Sequence, residues 1–216
     1  MGIFFFIILF LSSISASGTT LFLKNGDSAI LIGKDDGVLR VIKNNDGSYE
    51  NIKEFFISYG QKGGIKAKEG DYKTPEGVYF ATAIKTKHDL NDLPEELYGT
   101  YAVPLNYPNQ IDKKKGLSGY GIWLHGTDSE EKLSGKNVTK GCIIMENINI
   151  NQLVKLIRVM ATPIVISSSL KEVNFGTTKV DNTLISFSSG SEKYNVTVQK
   201  PEGLAKSSKV LYEDIK

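Results

Sequence analysis

Glycine- and aspartate-bearing turns cut this chain into short β-like runs, and that punctuation limits its fold more than any other feature. AILIGKDDGVLRVIK (residues 29–43) holds two apolar runs around Asp35, Asp36 and Gly37. Asp-Gly between such runs is the chemistry of a tight hairpin, because the turn needs residues that tolerate positive φ. NNDG (44–47) marks a second turn and EFFISYG (54–60) a further strand. VYFATAI (78–84), GIWLHG (121–126), IIM (143–145) and IVISS (164–168) add strands rich in β-branched and aromatic residues. One segment alone carries helical spacing: from Asn149, the residues Ile150, Leu153, Val154, Ile157 and Ala161 recur at intervals of three and four. Asn149 and Gln152 fit a capping box, and Pro163 closes the helix. Residues 85–120, which include Pro104 and Pro108, read as one long polar loop of the kind more often functional than idle. The expectation is a mainly β chain, a β-rich α+β fold with one main helix.

The ends read differently. IFFFIILFL (3–11) is short for a membrane span and runs into small residues, so residues 1–17 read as a signal peptide. No Lys or Arg precedes that run, which keeps an uncleaved N-terminal anchor open, and with it a membrane association. Residues 170–216 keep β-like alternation in TLISF and KYNVTV but become rich in Ser and Thr, and they read as a C-terminal extension of uncertain structure. The formal charge of +2 comes from 26 basic and 24 acidic residues, with no long basic block, so no nucleic-acid partner is expected. One cysteine permits no intrachain disulfide.

That cysteine, Cys142, lies in NVTKGCIIM (137–145). A buried inert thiol is the bland reading. A nucleophile needs a base within reach. The chain has two histidines, His88 and His125, both upstream of Cys142. That order excludes the papain-like arrangement, and a sortase-like one lacks a suitable arginine, since Arg158 sits in the helix. His88 stands in a lysine-rich polar stretch and reads as solvated. His125 ends an apolar strand and precedes Gly126. Two neighbouring strands joined by a loop bring His125 and Cys142 to one side of a sheet, with the Gly141 and Cys142 amides aimed at a developing oxyanion. Trp123 alternates with apolar neighbours and reads as core. Nothing points to a metal or organic cofactor.

IWLHGT followed by TKGCIIM resembles the L,D-transpeptidase catalytic domain family (YkuD-type). KEGDYKTPEGVYF is similar to the family's upstream Thr-Pro-Glu-Gly segment, LNYPNQID to a segment of a Gram-negative branch, and ENININ to the stretch after the nucleophile. The resemblance covers residues 27–169. It implies a mixed-sheet β-sandwich with its main helix after Cys142, and a reaction on peptidoglycan stem tetrapeptides in the periplasm or envelope of a bacterium. Cys142 would form a thioester acyl-enzyme. His125 would act as base and then acid, its ring oriented by the Gly126 carbonyl, with Thr139 and Gly141 supporting the oxyanion. Transfer of the acyl group to an amine gives a cross-link or an attached wall protein; transfer to water gives a trimmed tripeptide. Lys140 and Ile144 replace the residues the family usually shows two before and two after the cysteine, and with Tyr107 they are the expected substrate contacts. The Lys-Gly-Cys form resembles a cell-shape-linked branch that trims. Two other readings stay open: a silent wall-binding domain, and an anchored scaffold whose function lies after residue 170.

Overall fold

The computed structural model describes residues 19–21, 23–90, 98–134, 137–175, 184–190 and 193–199. In chain order the strands are β1 (Thr19–Leu21), β2 (Ser28–Gly33), β3 (Val38–Asn45), β4 (Ser48–Phe56), β5 (Tyr59–Gly60), β6 (Gly77–Phe80), β7 (Lys85–Thr86), β8 (Tyr101–Pro104), β9 (Trp123–Thr127), β10 (Asn137–Thr139), β11 (Ile143–Glu146), β12 (Pro163–Ser167), β13 (Val173–Phe175), β14 (Leu184–Gly190) and β15 (Lys193–Gln199). The helices are α1 (Gln110–Lys114), α2 (Glu130–Ser134) and α3 (Asn147–Leu153), with short 3-10 turns between elements. The fold is mainly β with mixed sheets and one main helix, as the turn punctuation implied.

The five-stranded sheet runs β4-β3-β2-β12-β6. Its β2–β3 hairpin turns at Asp35–Gly37, where Gly37 takes φ 68°, and its β3–β4 turn uses Asp46 and Gly47, both at positive φ. The expected turn chemistry is therefore in place at both corners. β12 joins β2 in parallel and β6 antiparallel. Strands β2 and β12 are buried on both faces, which is why they read as continuous apolar runs. Ile30, Ile32, Leu39, Val41, Ile164 and Ile166 face one core, which also takes Val103, Leu124, Ile143 and Met145 from the four-stranded sheet β11-β9-β8-β7. Ala29, Leu31, Ile42, Val78, Phe80 and Val165 face a second core closed by Leu21, Leu23 and Val173. Burying a side chain of this size contributes about 1.5–3 kcal/mol, so the covering strands β1 and β13 stabilise the central sheet. Both lie outside the 27–169 boundary expected from the resemblance. β1 pairs in parallel with β13 and antiparallel with β14, and β14 with β15, so the KYNVTV run and the TLISF run from Leu184 onward are strands. The proposed signal segment, residues 1–17, lies outside the described residues, as does the end of the chain after residue 199.

Two expectations are corrected. The stretch 85–120 is not one loop. It supplies β8, whose Ala102 and Val103 are fully buried and whose register places Ala102 opposite His125. Pro104 sits at the last position of that strand, where a missing N–H interrupts the ladder least. α1 has a full capping box, with Asn109 Oδ1 accepting from Asp112 N–H and the Asp112 carboxylate accepting from Asn109 N–H. The main helix also differs. It starts at Asn147 directly after β11, with no side-chain cap, and tightens to a 3-10 turn at Val154–Leu156. Ile157 is already extended, at φ −92° and ψ 124°. Asn149 is therefore inside the helix rather than its cap. Ile150, Leu153 and Ile157 still face the core, so the periodicity located the buried face while misplacing both ends.

Candidate active site

β9 and β11 run side by side in parallel, with Ile143 opposite Leu124 and Ile144 opposite His125. Alternation sends Leu124, Ile143 and Met145 into the core. Trp123, His125 and Ile144 then share the other face, and Cys142, one step before β11, continues on that side. Strand register thus sets His125 and Cys142, 17 residues apart, on one face of the sheet.

His125 is buried, and its Nδ1 lies 2.9 Å from the Gly126 carbonyl oxygen. A carbonyl can only accept, so Nδ1 carries the proton and Nε2 keeps its lone pair. Burial pushes the imidazole down to about 4, against the raising effect of the Gly126 carbonyl and with a smaller contribution from Lys132. The ring is therefore neutral at pH 7 and able to accept a proton. Gly126 has no room for a side chain: a Cβ there would run into Asn147 Oδ1 and sit 2.9 Å from Ile150. Asn147 Oδ1 accepts from Thr100 N–H at 3.0 Å and its Nδ2 donates to Asp128. That side chain ties the end of β9 to the segment that carries Tyr98. The Tyr98 ring lies 5.1 Å from His125 and 5.0 Å from Trp123.

Cys142 is half-buried, and its thiol donates to the Gly121 carbonyl at 3.3 Å. Burial raises the thiol, partly offset by the Trp123 backbone amide and the Lys66 ammonium. Thiol and imidazole are thus both neutral at rest, and the arrangement favours proton transfer in step with attack over a standing ion pair. Lys66 is buried and paired with Asp71 at 2.7 Å. Burial alone would raise the Asp71 carboxyl, but Lys66 and the amides of Lys68, Ala67 and Lys73 hold it far below the usual carboxylate range.

The expected residues divide. Thr139 stands beside Cys142, its hydroxyl donating to the Cys142 carbonyl at 2.6 Å and accepting from Gly141 N–H at 3.0 Å. That bond corrects the expectation for Gly141: its amide faces Thr139 rather than an oxyanion. What Gly141 supplies is conformation, a φ of 131° with Lys73 O 2.7 Å from where a Cβ would stand. Lys140 is exposed next to Cys142. Ile144 is 1% exposed and exchanges both backbone hydrogen bonds with Ser58, so its side chain is not available to a substrate. Tyr107 is likewise in the core, edge-on to Tyr79, and its hydroxyl donates to Ser118 O at 2.9 Å, supporting the loop before Gly121 from below. Trp123 is half-buried on the His125 face instead of in the core. His88 is exposed, as its surroundings implied.

Sequence reading missed Tyr98, Asn147, Thr74 and Lys66 as members of this region. Thr74 lies in KEGDYKTPEGVYF, a segment that carried the resemblance, so a signal for it existed; Lys66 stands two residues before that segment. Asn147 lies in ENININ, which also carried the resemblance, but its role comes from contacts with Thr100 and Asp128 that are distant in sequence; Tyr98 has no such signal. Among the described residues no group of three or more His, Cys, Asp or Glu side chains forms a metal site.

The L,D-transpeptidase catalytic domain (YkuD) matches residues 27–166. The Escherichia coli (strain K12) protein YafK is 26% identical over 129 residues, 59% of this chain and 46% of its own. The solved structure of Bd1075 from Bdellovibrio bacteriovorus superposes with a TM-score of 0.55 at 32% identity, covering 67% of this chain and 49% of that one. The helical cell shape determining protein Pgp2 from Campylobacter jejuni superposes with a TM-score of 0.56 at 28% identity, covering 71% of this chain and 51% of that one. The chain spans about half the length of each of these relatives. It belongs to the YkuD family of L,D-transpeptidase catalytic domains.

Proposed function

We propose that the protein is a cysteine acyl-transferase acting on peptidoglycan stem tetrapeptides, with Cys142 as nucleophile and His125 as general base and acid. The observation that carries this reading is the parallel pairing of β9 and β11, which sets Cys142 and a neutral, Nδ1-protonated His125 on one face. His125 Nε2 takes the thiol proton as Sγ attacks the carbonyl carbon at the L-centre of the diaminopimelate residue. The tetrahedral intermediate collapses, the bond to the terminal D-alanine breaks, and the leaving amine takes the proton from His125. An acceptor amine then gives up a proton to His125 and displaces the thioester. That outcome is transpeptidation, in cell-wall cross-linking or remodelling. The exposed Lys140 is the candidate substrate contact beside the nucleophile.

A second outcome is water as acceptor, giving tripeptide. It is favoured by the Lys140-Gly141-Cys142 sequence and by the likeness to a cell shape determining protein. We place the reaction in the bacterial cell envelope, where the substrate is, which requires export. Incubation of the protein with disaccharide tetrapeptide, followed by mass spectrometry, tests the reading. Dimer supports transpeptidation and tripeptide alone supports L,D-carboxypeptidation. If neither forms from folded protein with Cys142 reduced, the enzyme reading fails, which leaves a silent wall-binding domain or an anchored scaffold whose function lies after residue 170.

A further inference from the structure

The Gly141–Cys142 unit presents four backbone polar groups, and two threonine hydroxyls hold three of them. Thr139 holds Gly141 N–H and Cys142 C=O. Thr74, from a segment 67 residues away, donates its hydroxyl to Gly141 C=O at 2.9 Å. The group that neither hydroxyl takes is the Cys142 N–H. In a planar trans peptide the C=O and the following N–H point to opposite edges. Fixing the Gly141 oxygen therefore fixes the direction of the Cys142 N–H, away from Thr74. The restraint matters because glycine tolerates many backbone conformations and offers no side chain to resist rotation of that peptide.

Thr74 is itself held on several sides. It is fully buried. Its hydroxyl accepts from Gly60 N–H at 3.0 Å, and its carbonyl lies 3.4 Å from Lys34 Nζ. Lys34 is buried and pairs with Glu76 at 2.6 Å. Gly60 permits the approach, since a Cβ there would meet Tyr72 O at 2.6 Å and Thr74 N at 2.8 Å. The hydroxyl has one proton to give and gives it to Gly141, so its orientation is settled by its partners.

We propose that Thr74 is a positioning residue for acyl transfer: by pinning the Gly141 carbonyl it aims the Cys142 N–H at the oxyanion. This rests on Cys142 being the nucleophile, as proposed above. When the Sγ–C bond forms, the carbonyl electron pair moves to oxygen and the thiol proton passes to His125. The Cys142 N–H donates to that oxygen, and Thr74 touches none of the reacting atoms.

Two reagents separate positioning from simple thiol reactivity. Iodoacetamide alkylates Cys142 by displacing iodide at a saturated carbon, so no oxyanion forms. A carbapenem is attacked at its lactam carbonyl; an oxyanion forms, the C–N bond breaks, and the nitrogen takes the thiol proton. Thr74→Val and Thr74→Ala are expected to slow carbapenem acylation by roughly 10–100-fold, somewhat less than outright loss of an oxyanion donor. Alkylation should stay within about 3-fold, because it uses no such donor. Thr74→Ser keeps the hydroxyl and should restore acylation. Competent protein is counted by thiol titration, so a partly folded variant is still scored. Equal slowing of both reactions, unchanged acylation in Thr74→Val, or failure of both Thr74→Val and Thr74→Ala to fold would each overturn the assignment. Neither readout uses a stem peptide. A wild-type protein that acylates and shows the Thr74 effect but leaves tetrapeptide intact would sink the peptidoglycan reading alone.

Discussion

The two halves of the site are built by different physics. The cysteine side is a polar lattice, in which hydroxyls from Thr139 and Thr74 hold the backbone of the Gly141–Cys142 turn. The histidine side is a packed one. His125 sits on a strand whose neighbour Leu124 is core, Gly126 is pressed by Asn147 and Ile150, and the Tyr98 ring covers the imidazole. Hydrogen bonds fix direction, which a backbone donor needs. Burial fixes protonation state, which a base needs. The pairing suggests that damage on the cysteine side costs rate and damage on the histidine side costs stability and pH behaviour.

The largest effects should come from Cys142 and His125, the proposed nucleophile and base. Cys142→Ala is expected to abolish the acyl-enzyme seen by intact mass, and His125→Gln to lower kcat/KM by about 10²–10⁴-fold. An adduct that survives in Cys142→Ala would point to another nucleophile. Next, Thr139→Val removes the partner of two backbone groups at once. Acylation should fall by roughly 10–100-fold, a larger change than the loss of two hydrogen bonds makes in the melting temperature. The mirror experiment is Gly126→Ala, whose methyl would overlap Asn147 and Ile150. It should destabilise by about 1–3 kcal/mol, read as a lower Tm. A Gly126→Ala protein of unchanged Tm, or a Thr139→Val protein that loses stability but not rate, would erase the contrast.

pH sharpens the same comparison. With His125 lowered to about 4, kcat/KM should hold through pH 6.5 and fall only as the ring protonates near pH 4. Stability follows with a definite sign. Between about 6.5 and 4 the unfolded histidine binds a proton that the folded one does not, so stability falls as pH drops through that window. The drop from 6.5 to about 4 corresponds to roughly 3 kcal/mol. His125→Gln should flatten that slope in denaturant titrations at pH 4–7, and a slope that persists would assign it to other groups. The smallest effect is expected from Tyr98→Ala. Opening the ring to water should move the acid limb of the rate profile toward 6.5, with a change of a few-fold near neutral pH. Tyr98→Phe, which keeps the ring, should leave the limb in place.

How much of this was legible follows from the range of each interaction. Turns and face periodicities are local, so Asp36-Gly37, Asp46-Gly47 and the buried stripe Ile150, Leu153, Ile157 could be read directly. Helix ends were misread because Asn149 and Gln152 form a plausible local cap, while β11 feeds α3 at Asn147, whose side chain is engaged by Thr100 and Asp128. β8 was hidden because a short strand ending in proline, in a polar neighbourhood, is supported by its pairing with β9 and not by its own composition. Ile144 and Tyr107 stood near the motif in sequence but belong to the interior, where pairing with Ser58 and packing on Tyr79 place them.

By itself the sequence determined the strand-rich class, the hairpins and the candidate pair Cys142 and His125, because these depend on residue type and order. The tertiary structure alone decided that the Gly141 amide turns to Thr139, that Thr74 reaches Gly141 across the fold, and that burial keeps His125 neutral. Each of those is a contact or a dielectric effect between segments far apart in the chain, and a sequence carries no local record of such distances.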